Sequence, residues 1–364
     1  MKIMVMGSRG IPNIPGGVET HCEHLYPRMI KNGENSITVI CRTPYVEDKT
    51  RKEYKGLLLK NIYSPKSKSL EAIVHTFLSV VYAGFKRPDI VHIHAIGPNL
   101  LTVLARMLNL KVVMTHHGPD YKRMKWNGIA KFFLKLGEWM GVKFSKKVIV
   151  ISQEIKNHIA YRYGYTDSAL IPNGVDQPEI NTNTDYLDAL GLEKDKYIFT
   201  LGRFVPEKGF DYLIRAYAQS SISKKYKLVI AGDADHESEY SVKLKAAAKE
   251  NGVVLTGYIK GDRLRQLFSN AAMFVIPSFF EGLPIVLLEA MSYRLPIISS
   301  NIAANTQVNL PAECYYEVGN ESELLKLFNN VNLKEHERID YDMSRYDWDI
   351  IAQETLDVYK NVLR

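Results

Sequence analysis

Short apolar runs alternate with longer amphipathic stretches along the chain, and that alternation predicts parallel strands layered with helices. Residues 3–6, 36–40, 90–93, 111–115 and 147–151 form brief runs rich in Val and Ile, and a helical pattern over 18–30 lies between the first two. This is a β-α-β start. Strands buried on both faces read as continuous apolar runs, which is the signature of a parallel sheet covered by helices on both sides. A polar segment from Asp176 to about Asp188 reads as a linker, and the alternation restarts at 197–201, 226–231, 253–256, 273–277 and 295–299. At 364 residues the chain exceeds one hydrophobic core, so two α/β domains are expected, 1–175 and 176–345, followed by a helical segment 346–364.

Composition sharpens this picture at one point. Lys and Arg number 47 against 40 Asp and Glu, but the excess is uneven: 26 basic and 12 acidic residues up to Val175, then 21 and 28. A first half near +14 suits an anionic ligand or surface. Nucleic acid would satisfy that charge, yet no nucleic-acid recognition motif accompanies it. An anionic membrane surface fits better, because residues 125–147 mix Trp126, Ile129, Phe132, Phe133, Leu136, Trp139, Met140 and Phe144 with six lysines. The same stripe is compatible with an ordinary helix docked on the core. Cys22, Cys41 and Cys314 are odd in number and lack metal-ligand spacing, which predicts reduced thiols and no structural zinc. The start at Met1-Lys2-Ile3 enters a strand directly and no window is long and apolar enough to span a bilayer. The expected location is the cytoplasm, at the inner face of the plasma membrane.

The candidate chemistry concentrates in loops after predicted strands. Glu281 and Glu289 flank the start of a helix whose first turn would hold Pro284, so amides around Gly282 and Leu283 can meet an anion while Glu289 accepts from sugar hydroxyls. Two glutamates near one helix also occur merely to solvate a face. Gly202-Arg203 with Lys208-Gly209 closes another strand and offers two cations that could reach one diphosphate, or simply line a loop. Gly16-Gly17-Val18-Glu19 precedes the first helix, where glycines allow close approach of a ligand or form only a turn. Gly7 and Gly10 do not complete a dinucleotide fingerprint, which disfavours a nicotinamide enzyme. His92, His94, His116 and His117 sit at strand ends. Without a third acidic ligand in register they suit hydrogen bonding to a ligand better than metal binding, and no metal is expected there or at Asp233-Ala234-Asp235.

Taken together, Gly16-Gly17-Val18-Glu19, His117-Gly118, Ile171-Pro172-Asn173-Gly174-Val175-Asp176, Gly202-Arg203, Lys208-Gly209 and the span from Glu281 to Glu289 resemble the family 4 retaining glycosyltransferases over nearly the whole chain. The resemblance implies the GT-B fold, two Rossmann-like doubly wound domains facing a cleft, with the acceptor held by the first and the nucleotide by the second. It implies that Glu289 binds ribose, Glu281 the donor sugar, Arg203 and Lys208 the diphosphate, and that His117 contacts the sugar near the reacting carbon. Tyr258 would face the base, and the amides around Gly17 would meet the diphosphate. Catalytic roles accordingly fall to Glu281, His117, Arg203 and Lys208, with a nucleotide sugar as donor substrate and no cofactor or metal. The closing helix would return to the first domain through Ile350, Ile351, Leu356 and Val362.

The pattern from Thr115 to Trp126 is similar to a bacterial subset named as rhamnosyltransferases, which implies a dTDP-rhamnose or UDP-sugar donor, a saccharide acceptor that is lipid-linked, and surface-polysaccharide synthesis. The family's front-side route lets the leaving diphosphate take the acceptor's proton on the same face. A sugar-nucleotide epimerase on the same fold is the alternative, and a non-catalytic binding protein is disfavoured by the joint presence of both cations and both carboxylates.

Overall fold

The structure, a computed structural model, describes every residue except 31–32, 67–70, 124–125, 332 and 334–336. The chain divides into two compact units, Met1–Gly174 with Arg345–Arg364, and Val175–Ser344. The first unit runs β1 (Lys2–Met6), α1 (Gly17–Arg28), β2 (Ser36–Arg42), β3 (Glu53–Tyr54), β4 (Leu57–Ile62), α2 (Glu71–Lys86), β5 (Ile90–His94), α3 (Thr102–Met107), β6 (Val112–His116), α4 (Gly128–Phe144), β7 (Lys147–Val150), α5 (Gln153–Tyr163) and β8 (Ala169–Leu170). The second runs α6 (Asp185–Ala189), β9 (Tyr197–Leu201), α7 (Phe210–Gln219), β10 (Lys227–Ala231), α8 (Glu239–Glu250), β11 (Val254–Leu255), α9 (Asp262–Asn270), β12 (Met273–Ile276), α10 (Ile285–Ser292), β13 (Ile297–Ser300), α11 (Ala303–Thr306), β14 (Tyr315–Tyr316) and α12 (Glu321–Asn330). Then α13 (Trp348–Leu363) belongs to the first unit.

The first sheet is ordered β3-β4-β2-β1-β5-β6-β7-β8, and only the β3–β4 pair is antiparallel. Alternate residues of β1 feed two cores. Ile3 and Val5 join Leu25, Tyr26, Val39, Ile351 and Tyr359 on one face, while Met4 and Met6 join Val80, Val91 and Ala105 on the other. That two-sided burial is why the strands read as continuous apolar runs. The second sheet is wholly parallel, ordered β11-β10-β9-β12-β13-β14, with Ile198, Leu213, Leu228, Val275 and Leu324 in a shared core.

Several expectations need correction. The segment read as a linker up to Asp188 ends inside α6, because Leu187 is buried and the Tyr186 N–H donates to Gln266 Oε1 at 3.0 Å. Pro284 is the N-cap residue of α10, and its extended ψ of 115° places it outside the first turn. Ile350 is half exposed, since a step of one residue turns the helix about 100° and only Ile351 then faces the core. Leu356 and Val362 do pack against that core.

The return of the chain to the first unit is anchored by Trp348. Its ring is 2% exposed, stacks on His24 with centroids 5.8 Å apart and lies edge-on to His21 at 5.4 Å. A Cβ on Gly174 would come within 2.6 Å of it, so the glycine is required for the tryptophan to seat. Asp347 caps the helix by accepting from the Asp349 and Ile350 N–H groups. Trp348→Ala therefore lowers the stability of this unit by about 3–5 kcal/mol, the usual cost of emptying a large aromatic site. Hydrogen exchange should show the loss first as faster exchange across α13.

Candidate active site

In a parallel sheet every strand delivers its following loop to the same edge, and ligands bind where the strand order reverses. In the second unit that point lies between β9 and β12. The loop after β9 carries Arg203, Lys208 and Gly209, and the loop after β12 carries Ser278, Glu281 and Gly282. They meet through side chains: Lys208 Nζ donates to Glu281 Oε1 at 2.6 Å, and Ser278 Oγ donates to the same oxygen at 2.6 Å. Gly209 makes the approach possible, because it sits at φ +65° and a Cβ there would stand 2.3 Å from the Pro277 carbonyl oxygen. Lys208 and Glu281 are mostly buried, at 17% and 14% side-chain exposure. An ion pair this desolvated holds only with good geometry and further hydrogen bonds, which Ser278 helps to supply.

Arg203 is not beside Lys208's partner. It donates to Asp235 Oδ2 at 3.0 Å, and Tyr258 donates to Asp235 Oδ1 at 3.1 Å and to the Asp233 carbonyl at 2.9 Å. Burial and the Asp235 charge push the Tyr258 phenol up to about 12. The two expected diphosphate cations are thus held on separate carboxylates. Asp233, on the strand-end motif for which no metal is expected, takes Lys245 Nζ at 2.7 Å. Leu283 and Pro284 are buried at the start of α10, Gly282 is half-buried, and Glu289 lies one turn along that helix. Glu289 adds to the burial that raises the Tyr293 phenol to about 12.

The first unit has its own reversal, between β1 and β5. After β1 the chain passes Gly16, where φ is +150° and a Cβ would fall 2.0 Å from Glu19 Oε2. Glu19 is buried and accepts from the Arg9 N–H at 2.8 Å, so its carboxylate ties the loop to α1 and Gly16 makes room for it. Gly17 is different, since no heavy atom lies within 4 Å of where its Cβ would be. Gly17 is the first residue of α1, and nothing outside its own helix limits a side chain there.

Beside this loop runs a file of histidines on β5 and after β6. His92 and His94 stack at 4.2 Å, and His94 Nδ1 is 2.8 Å from His117 Nε2. His21 of α1 joins them, its Nδ1 donating to Asn173 Oδ1 at 3.0 Å, and ligand atoms of His21, His94 and His117 lie within 4.8 Å of one another. Of the four strand-end histidines, His116 turns away, donating from Nε2 to Glu138 at 2.8 Å, and His21 of α1 stands with His94 and His117 instead. Burial lowers the pKa of His21 to about 4 and of His92 to about 3, and with neighbouring imidazoles it also carries His94 and His117 well below the usual imidazole range. Neutral imidazoles can serve as hydrogen-bond donors or ligands. The 2.8 Å His94–His117 separation matches a hydrogen bond, whereas two nitrogens around a tetrahedral zinc stand about 3.3 Å apart.

On the other side of His116, α4 packs through small and polar residues. Gly137, Glu138, Gly141 and Val142 face inward, and a Cβ on Gly137 would meet the Ile96 carbonyl at 2.4 Å. Burial alone would raise the Glu138 pKa, but hydrogen bonds from His116, His158 and Tyr163 hold it well below the carboxylate range. The large apolar residues of the helix point out: Ile129 is 72% exposed, Phe132 62%, and Phe133, Trp139 and Phe144 are exposed as well. The docked-helix reading is therefore corrected for these five, because the inner face is built from glycines. Lys125 and Met124, at the start of the basic stretch and inside the rhamnosyltransferase-like pattern, lie outside the described residues.

The four neutral imidazoles also set the acid limit of this unit. Each binds a proton near pH 6.5 when unfolded but only at lower pH when folded, so the unfolded state holds more protons in between. Stability is full above pH 6.5 and falls as pH is lowered toward about 4 for His21 and about 3 for His92. A series of thermal melts between pH 7.5 and 4 should show it, as a drop in midpoint that begins below about pH 6.5.

Comparison with known proteins agrees with this architecture. The family model for glycosyltransferase family 4 matches residues 15–177, and that for glycosyl transferases group 1 matches residues 184–341. An uncharacterized glycosyltransferase of Methanocaldococcus jannaschii is 25% identical over 99% of this chain and 98% of its own. The Escherichia coli UDP-Gal:alpha-D-GlcNAc-diphosphoundecaprenol alpha-1,3-galactosyltransferase is 29% identical over 76% of this chain and 74% of its own. Among solved structures, Anabaena HepE in complex with UDP and glucose superposes with a TM-score of 0.80 at 17% identity, covering 99% of this chain and 100% of that one. The two models cover between them both sheets except β1, together with the loops that carry Gly16, His117, Lys208 and Glu281, and the chain belongs to the family 4 glycosyltransferases, enzymes of the GT-B fold.

Proposed function

We propose that this glycosyltransferase moves a sugar, with retention of configuration, from a nucleoside-diphosphate donor to a lipid-linked saccharide acceptor in bacterial surface-polysaccharide synthesis. The observation that carries most of this reading is the Lys208–Glu281–Ser278 cluster at the strand-order reversal of the second unit. An incoming diphosphate offers Lys208 and Arg203 more negative charge than their carboxylate partners do, so both cations can transfer to it. Glu281, released from Lys208, then accepts hydrogen bonds from the donor sugar while Ser278 keeps its carboxylate in place. The leaving diphosphate takes the acceptor hydroxyl's proton on the face it departs from, and Arg203 and Lys208 stabilise the charge that develops. Glu289 receives the ribose hydroxyls, Tyr258 faces the base, and Gly282, Leu283 and Pro284 bring the α10 N-terminus to the phosphates. In the first unit, the open backbone at Gly17 suits a phosphate and His117 suits a sugar hydroxyl. The nucleotide sugar is the one co-substrate in this scheme, with no metal or redox cofactor.

The donor proposed is dTDP-rhamnose or a UDP-sugar. The Escherichia coli relative is named for UDP-Gal and a diphosphoundecaprenol acceptor, and the HepE structure holds UDP. A lipid-linked acceptor accords with the outer face of α4, where Phe132, Phe133 and Trp139 stand exposed among lysines. Such a face can lie in the headgroup layer of an anionic membrane, and among the described residues no helix is long and apolar enough to cross one. We place the enzyme at the inner face of the plasma membrane on this basis.

Donor turnover across UDP-, dTDP-, GDP- and ADP-sugars, with and without a lipid-diphosphate saccharide, tests the reading. Acceptor-dependent nucleotide release is expected, falling about 100- to 1000-fold in Lys208→Ala and sharply in Glu281→Gln. Conversion to an isomeric nucleotide sugar without acceptor would establish an epimerase instead. The two glycines separate structure from binding: Gly16→Ala should destabilise the fold by displacing Glu19, whereas Gly17→Ala should melt like the parent and raise the donor KM. Sedimentation with anionic liposomes checks the membrane face, with binding that weakens as salt rises and is lost in Phe132→Ser/Trp139→Ser.

A further inference from the structure

Asp233-Ala234-Asp235 is a motif that the chemistry proposed above leaves without a role. It follows β10, the strand between β9 and β11, so its loop lies between the loop that carries Arg203 and the one that carries Tyr258. Main-chain bonds pin the three loops together. The Phe204 N–H donates to the Asp233 carbonyl at 3.0 Å, and the Gly232 N–H donates to the Gly257 carbonyl at 2.8 Å. Gly232 sits at φ +120°, and a Cβ there would stand 2.0 Å from the Gly202 carbonyl oxygen, so a glycine is needed for the β10 loop to close on the β9 loop. On this frame the side chains of Arg203, Asp235 and Tyr258 meet.

Asp235 binds a cation and a phenol at once. Its Oδ2 accepts from Arg203 Nη1 at 3.0 Å, and Tyr258 OH stands 3.1 Å from Oδ1 and 2.9 Å from the Asp233 carbonyl. A carbonyl and a carboxylate only accept, so the hydroxyl is the donor and Tyr258 ties Asp235 to its own loop. Arg203 is tied less firmly. It reaches Asp235 through one N–H and not through the two-bond fork that a guanidinium forms with a phosphate. The pair is also open to water, at 26% and 27% side-chain exposure, whereas Lys208 and Glu281 are mostly buried. Ion pairs this exposed are weak.

We propose that Asp235 is a positioning residue of the donor site, which holds Arg203 while the site is empty, yields it to the diphosphate and takes it back when the nucleoside diphosphate leaves. The inference rests on the reading of Arg203 as a diphosphate-binding cation. A diphosphate wins the guanidinium because it carries more charge and offers two oxygens to the fork. Asp235 does not follow, because Tyr258 retains it. Binding must therefore break one ion pair and release restores it, so Asp235 lowers affinity for donor and product alike.

The test is calorimetric titration of the full chain with UDP, dTDP and inorganic pyrophosphate. Asp235→Asn keeps the shape of the side chain and an acceptor for Tyr258, and should tighten a nucleoside diphosphate and pyrophosphate about two- to fivefold, the strength of a solvent-open ion pair. Arg203→Ala should weaken both, and Asp235→Asn added to it should bring no such gain, because no guanidinium is left to release. All three variants should melt like the parent. An equal gain without Arg203 would reduce Asp235 to simple charge repulsion and overturn the proposal, as would unchanged or weaker binding in Asp235→Asn. Weaker UDP with unchanged pyrophosphate would make Asp235 a ligand of the nucleoside and equally overturn it. Failure of the wild type to bind any of the three probes would overturn the donor reading with it, whereas wild-type binding without a gain in Asp235→Asn overturns the role of Asp235 alone.

Discussion

Parallel strand pairing is the constraint on which the rest of this structure depends. Apart from the β3–β4 pair, every strand in both sheets runs the same way as its neighbour, so every loop that follows a strand emerges on one edge. The chemistry-bearing residues are therefore gathered without any long-range sequence signal. Lys208 and Glu281 are 73 residues apart yet touch, because β9 and β12 are adjacent where the order reverses. The same geometry puts His21 of α1, the helix that follows β1, beside His94 at the end of β5 and His117 after β6. Parallel sheets also need both faces covered, which fixes the helices and makes α13 a structural part of the first unit.

Covering those faces creates a second problem, since strand ends that carry polar residues become buried. The first unit solves it by pairing neutral groups with one another. Four imidazoles, two phenols, a threonine and an asparagine hydrogen-bond to one another in a region where a charge would be costly. Glu138 is the exception, a buried carboxylate kept ionised by four donors that surround it. Because α13 supplies Tyr359, the last helix is joined to His92 of β5 by a hydrogen bond as well as by packing.

Much of this was legible from apolar patterning. The runs at 197–201 and 273–277 coincide with β9 and β12 to within one residue, and the loops they launch were singled out for their charges. What escaped has a common cause. β3, β8 and β14 are two-residue edge strands, too short to leave a periodic trace, and β4 is half exposed. Tyr26, Tyr359 and Glu138 sit at ordinary core spacings on helices, where a Tyr or Glu carries no mark of its partner. Cys22, Tyr26 and Met29 lie at i, i+4 and i+7 of α1, so the buried face could have been drawn with Tyr26 on it. That the phenol meets two histidines from β5 depends on strand order, which a single sequence does not display. Pairing of Arg203 with Asp235 was hidden likewise, because the two loops adjoin only once β9 and β10 are side by side.

The helix α4 shows why such hidden partners matter for the reading of a surface. Its sequence alone, rich in aromatics and lysines, is equally compatible with a core helix and an interfacial one. The inner face is made of small residues, because Gly137 and Gly141 bring the backbone so close to the 96–100 segment and to Met114 of β6 that no large side chain fits beneath it. Bulky residues are excluded from the core side and driven outward, where they would be costly unless covered. The same close approach lets Glu138 reach His116, next in sequence to His117. One helix thus presents an apolar basic face outward and, through a single buried carboxylate, holds His116 at the start of the loop after β6.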